Sequence, residues 1–214
     1  MSINETLPVT TSPHVDGFDA PDEGGGAGII KGAKLKFNNT QWTDDNDEVI
    51  AKERQFIAVK ISKVVQKWID QKPVETRILG PEQYFPDVER MNAEAPPAEW
   101  RDHYGVKKGP WEKSYVVYLL CPESMQGYTY PTSTVGGMRA VSDLKDNVKR
   151  ARLLRGENVY PLVTLGDAHM PSAYGGRQRP SFKIVKFVPI GAAPAQSPQQ
   201  LAKPANDMSD AIPF

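Results

Sequence analysis

The residues best equipped for chemistry lie in one short run, Asp44-Asp45-Asn46-Asp47-Glu48, which sets four carboxylates within five positions. Such a density could hold a divalent cation of the kind a nuclease uses. The run lacks the glycine and distal glutamate of a calcium loop, and an acidic turn between two strands is its commoner use. His14, His103 and His169 stand far apart, without the i, i+4 spacing of a helical zinc pair. Cys121 precedes a proline at an apolar strand end, where a buried, inert thiol is the usual outcome. The glycine cluster GGGAG at 24–28 follows no strand and lacks the Gly-Lys-Ser/Thr ending of a phosphate loop. No triad and no cofactor are implied, and the chain reads as a binding protein. A metal-dependent nuclease built on Asp44, Asp47 and Glu48 is the outlying alternative.

Rings interleaved with cations are the second kind of chemistry. Single-stranded nucleic acid is held by bases stacked on aromatic side chains and by cations that follow the phosphates. Phe56, Lys60 and Trp68 fall on the polar side of one long alternating run, Tyr128 and Tyr130 share a face of another, and Lys34 with Lys36 supplies paired charge. Trp42 follows an Asn-Asn-Thr-Gln turn, and Tyr174, Arg177 and Arg179 bracket a Gly-Gly step, the composition of a clamp over a strand. Core packing is the competing use of every ring, and for Tyr115, Tyr118, Phe182 and Phe187 it is the expected one.

The net charge of zero hides a division along the chain. Residues 1–28 carry five acids and no lysine or arginine, whereas residues 139–190 hold ten bases against four acids. A local positive surface attracts polyanions whatever the total charge, and the acidic ends would compete with them.

Period-two alternation dominates the elements that must position these groups. Strands are expected over 31–37, 54–69, 74–79, 114–121, 127–132, 159–165 and 181–188, with a proline-rich irregular insertion from Gly80 to Pro110. Between the fifth and sixth of these the period changes: Leu144, Val148 and Ala151 sit at i, i+4, i+7, with Ser142 as N-cap and Gly156 as stop. This predicts one short basic helix, with Lys145, Lys149 and Arg152 on its solvated face. The expected fold is mainly β, an antiparallel barrel like the oligonucleotide-binding (OB) fold with one short helix; a β-sandwich with an appended helix is the alternative. Four regions follow: a disordered acidic arm at 1–28, a barrel domain at 29–190, a Pro/Gln/Ala-rich linker at 191–206 and an acidic tip at 207–214.

The chain closes on Asp207-Met208-Ser209-Asp210-Ala211-Ile212-Pro213-Phe214 behind that linker. An acidic segment ending Ile-Pro-Phe on a Pro/Gln-rich tether resembles the protein-docking tail of bacterial and phage single-stranded-DNA-binding proteins. The resemblance covers only these eight residues and the character of the linker. It implies single-stranded DNA and DNA-processing proteins of replication, recombination and repair as partners, the latter meeting Asp207, Asp210, Ile212, Pro213 and Phe214. Physically, Phe214 would fill an apolar pocket, Pro213 would limit the entropy lost, and the acids would draw in a basic rim. An accessory protein that borrows such a tail without binding DNA well is the first alternative, ahead of the nuclease, and it predicts a basic surface without exposed rings.

Composition excludes several other classes. With 214 residues, 39% of them hydrophobic, and 24% charged, the chain suits a globular domain rather than a collagen, coiled coil or bundle. One cysteine rules out an internal disulfide, and no apolar run suits a membrane span or signal segment, so a cytoplasmic protein without membrane contact is expected. Tyr84, Phe85, Trp100 and Trp111 in the insertion serve equally as a subunit interface of a homo-oligomer.

Overall fold

The computed structural model describes residues 29–103, 105–156, 158–171 and 176–189. Its strands are β1 (Ala33–Lys34), β2 (Lys36–Asn38), β3 (Gln41–Thr43), β4 (Gln55–Ile69), β5 (Lys72–Leu79), β6 (Arg101–His103), β7 (Val106–Lys108), β8 (Trp111–Leu120), β9 (Gly127–Thr132), β10 (Val159–Met170) and β11 (Arg177–Pro189). Its helices are α1 (Val88–Ala93) and α2 (Val135–Arg155), with a 3-10 turn at Pro97–Glu99.

The fold is mainly β, as the alternation implies. Seven strands form one sheet in the order β1-β9-β8-β4-β10-β11, with β5 paired to β4 beyond the end of β10. The meander β4-β8-β9, the helix α2 and the hairpin β10-β11, with β10 returning to pair β4, follow the strand order of an OB barrel. Among the described pairings the sheet stays open: β9 takes the short parallel strand β1 at its outer edge, and β11 pairs only with β10. The two ends meet through side chains instead. Trp42 touches Tyr130 of β9 and Phe182 of β11, at ring-centroid distances of 4.8 and 5.7 Å, and its indole Nε1 donates to the Gly166 carbonyl of β10 at 2.7 Å. One tryptophan thereby seals the seam with apolar area and a satisfied hydrogen bond.

A bulge governs which residues face the core. Between Ala58 and Lys60 the register of β4 against β8 shifts, leaving Val59 as the extra residue. Before it Phe56 and Ala58 point inward; after it Ile61 does, paired with Val117. Simple alternation puts Phe56 and Lys60 on one face, but the bulge sends Phe56 into the core and Lys60 outward.

The helix differs most from its expected form. It begins at Val135 with Thr134 as N-cap, whose hydroxyl accepts from Gly137 N–H at 3.1 Å, so Ser142 is an interior position. Glycine is a poor helix former, yet packing demands it here: a Cβ on Gly137 would fall 1.9 Å from Thr132 Oγ1. Gly137→Ala should therefore destabilise the protein by about 1–3 kcal/mol, against a helix-propensity gain of about 1 kcal/mol, as urea unfolding would measure.

The insertion is ordered rather than irregular. Asn92 of α1 clamps Trp111 through both main-chain groups, donating to its carbonyl at 3.0 Å and accepting from its N–H at 2.8 Å. Phe85 packs edge-on against Tyr115, and β6 pairs β7. The run expected over 31–37 splits, because β1 joins the main sheet while β2 pairs with β3 in a separate hairpin. The last hairpin is longer than expected, its ladder running from Val159↔Pro189 out to Met170↔Arg177.

Candidate nucleic-acid interface

Four of the expected stacking rings belong to the core. Phe56 is 0% exposed, Trp42 4%, Tyr128 3% and Tyr130 5%. The reasons are local: the β4 bulge turns Phe56 inward, Trp42 fills the seam, and Tyr128 and Tyr130 lie on the concave side of β9 with Leu119 and Val117. Burial raises the phenols of Tyr130 and Tyr128, as a core position requires.

The remaining predicted residues scatter. Lys34 is exposed on β1, and Lys36 is spent on Asp47 at 2.9 Å. Trp68 is half-buried beneath the Arg101 guanidinium, 5.8 Å from the ring centroid. Arg177 is exposed on β11, while Arg179 holds Asp143 of α2 at 2.7 Å. Both belong to a strand rather than a loop, since the β10-β11 ladder includes Arg179 and ends at Arg177. Tyr174 lies outside the described residues, as do Asp207, Asp210, Ile212, Pro213 and Phe214.

Acidic residues 44–48 form a turn. Asp44 Oδ1 accepts from the N–H groups of Asn46 and Glu48, both at 2.9 Å, and Asp47 faces Lys36. Among the described residues no group of three or more metal-competent side chains converges.

Lys60 is the predicted residue that the fold brings into company. On one edge β4 pairs with β8 over its centre; on the other it pairs with β10 only as far as Ile57 and with β5 only from Lys63. Between these limits, from Ala58 to Ser62, the second edge has no described partner strand. A cleft of about 850 Å³ opens there, walled by the end of β5, by Pro161 of β10 and by the Leu144–Leu153 side of α2. Lys60, Lys63, Lys145, Lys149 and Arg152 line it, with no aspartate or glutamate among the lining residues. Its exposed large apolar side chains are Val59, Ile78 and Leu153, of which Leu153 is 78% exposed.

These five cations are held differently. Lys63 reaches the carbonyls of Pro81 and Gln83, fixing the loop after β5. Lys145 lies 5.1 Å from the Tyr115 ring centroid, and Arg152 stacks 5.5 Å from that of Tyr160 while meeting the Val159 carbonyl. Lys60 and Lys149 project into solvent. Sequence reasoning treated Lys145, Lys149 and Arg152 as a solvated face and did not join them to Lys60. Their i, i+4, i+7 spacing beside Leu144, Val148 and Ala151 was the available signal, because it marks a cationic stripe flanking the buried one.

A second aromatic group sits on the insertion. Arg77 and Lys67 flank Trp111 at 4.8 and 5.9 Å, but Glu99 answers Lys67 at 2.8 Å and Glu112 answers both Arg101 and Lys108. Charge is balanced here, unlike in the cleft.

Cys121 stands apart from both. Burial pushes its thiol up, but the Ser124 hydroxyl and N–H, the Arg54 guanidinium at 3.8 Å and the Glu123 N–H outweigh burial and bring it to about 7 from an ordinary 9.0. A thiol depressed on folding stabilises fully above its unfolded value and loses that stabilisation as pH falls through the folded one. Stability should thus rise by about 1–2 kcal/mol between pH 7 and 9, and Cys121→Ser should flatten that rise in urea unfolding.

No family of related sequences, no curated protein and no solved structure matches this chain.

Proposed function

We propose that the chain binds single-stranded DNA without reading its sequence, the phosphates following the cationic cleft, and that residues 207–214 dock DNA-processing proteins. The cleft carries this reading: five cations, no lining carboxylate and an apolar floor suit a chain that is anionic along its backbone and apolar on its bases. An OB strand order and the resemblance of the tail support it from separate directions. Bases would pack on the aliphatic floor of the cleft and stack on Trp68, since Trp42, Phe56, Tyr128 and Tyr130 are in the core.

Fluorescence anisotropy of labelled oligo-dT at two salt concentrations, with unlabelled duplex as competitor, tests the proposal. Binding that weakens steeply with salt and resists duplex is expected; a folded protein that leaves oligo-dT free at low salt would overturn it. One observation favours the accessory-protein reading: the burial of Trp42, Phe56, Tyr128 and Tyr130 leaves a basic surface with fewer exposed rings. In that case the cleft takes acidic peptide and ignores oligo-dT.

A further inference from the structure

The cleft has a candidate occupant within the chain. Residues 1–28 hold five acids and no base, and four of the acids, Asp16, Asp19, Asp22 and Glu23, fall within eight positions around Phe18. The way the chain enters the sheet shows where this segment starts. Lys31 N–H donates to Thr129 Oγ1 at 2.9 Å and the Thr129 hydroxyl returns to the Lys31 carbonyl, so Lys31 lies over the side chain of Thr129. Thr129 alternates with the inward Tyr128 and Tyr130 and therefore points to the outer face of β9. Only after Lys31 does the chain pass to the edge, where Ala33 and Lys34 pair with β9.

On that outer face one row leads to the cleft. Thr129 pairs with Tyr118 of β8, and Tyr118 with Lys60 of β4. Two inter-strand spacings separate Thr129 from Lys60, roughly 10 Å. An extended chain from Lys31 back to Glu23 spans up to about 26 Å, so the acids reach the cleft with length to spare. Gly24, Gly25 and Gly26 lie between them and permit sharp changes of direction.

We propose that the acidic segment Asp16–Glu23 crosses the outer face of the sheet and occupies the cationic cleft. Its carboxylates would face Lys60, Lys149 and their neighbours, Phe18 would meet Val59, Ile78 and Leu153, and its main chain would run beside the unpaired edge of β4 between Ala58 and Ser62. The arm then screens the site from other polyanions until one displaces it, a consequence that rests on the DNA-binding reading. The C-terminal tip is the weaker occupant, with two aspartates against four acids here.

The test uses the full chain without nucleic acid. An arm variant (Asp16→Asn, Asp19→Asn, Asp22→Asn, Glu23→Gln) and a tip variant (Asp207→Asn, Asp210→Asn) are acetylated in parallel, and each lysine is followed by mass spectrometry. The arm variant should modify Lys60 and Lys149 about three- to tenfold faster than the parent, with Lys34 and Lys186 unchanged, and should bind oligo-dT several-fold tighter at low salt. Equal rates at Lys60 and Lys149 in parent and arm variant, or acceleration confined to the tip variant, would overturn the docked arm. Acceleration in the arm variant while neither protein binds oligo-dT would uphold the docked arm and overturn the DNA reading instead.

Discussion

Reversing Lys60 and Lys149 together, as Lys60→Glu with Lys149→Glu, should lower oligo-dT affinity by about 100-fold at 50 mM salt. Both side chains are exposed in the cleft. A single strand releases about 0.7 counterion per neutralised phosphate, so five contacts give a salt slope near −3.5 and about a 100-fold loss between 50 and 200 mM. Removing two contacts should flatten the slope to about −2, and two new carboxylates add repulsion. Neither side chain packs in the core, so unfolding free energy should stay within about 0.5 kcal/mol of the parent. The salt slope, measured by anisotropy titration at four ionic strengths, is the decisive reading. A variant that loses affinity without a change of slope would place the phosphates elsewhere.

The second large effect is on stability. Trp42→Ala should cost about 3–5 kcal/mol in urea unfolding, much of the 5–15 kcal/mol that holds a domain together. The indole lies against Phe37, Tyr130 and Phe182 and satisfies the Gly166 carbonyl. Truncation opens a cavity at the seam between the sheet's two ends and leaves a buried acceptor unpaired. Trp42→Phe should recover most of the packing and lose about 1 kcal/mol for the hydrogen bond. Oligo-dT affinity of the folded fraction should be unaltered by either change, which separates a ring that fills the seam between the sheet's two ends from one that stacks on bases. Trp68→Ala, half-buried and outside that seam, should do the reverse, with a smaller loss of stability and weaker binding.

The bounds of β5 and β9 were legible from their β-prone runs between turn residues, although β5 is exposed along most of its length and β9 mostly buried. Val74–Leu79 lies within β5, and Gly127–Thr132 is β9 itself. Helix α2 was legible only in its second half, where Leu144, Val148 and Ala151 mark a face. Its first turns are fixed by the Thr134 cap and by the close approach of Gly137 to Thr132, local packing that the low helix propensity of Gly136-Gly137 conceals. The site was harder to read for a similar reason. One bulged residue, Val59, reversed the facing of everything beyond it on β4, so Phe56 was grouped with Lys60 although the two point to opposite sides. Lys60 and Lys149 come together only because β10 leaves β4 before β5 joins it, and no spacing rule connects a strand lysine to a helix lysine so distant in sequence. The acidic residues at 44–48 were read correctly in kind, as a turn, because Asp44 needs only its own neighbours to satisfy it.

The position of the ordered insertion carries a kinetic consequence. It lies between β4 and β8, whose ladder from Ile57↔Leu120 to Lys67↔Trp111 is the centre of the sheet. Hairpins such as β10-β11 and β4-β5 close short loops and form within microseconds, whereas the central ladder must first close the whole insertion. The folding barrier therefore includes the entropy of that long loop unless the insertion has already collapsed. The clamp of Asn92 on Trp111, made within the insertion and at the first residue of β8, shortens the loop that remains. Its two hydrogen bonds thus act on the rate at which the protein folds, through the transition state, as well as on the final stability.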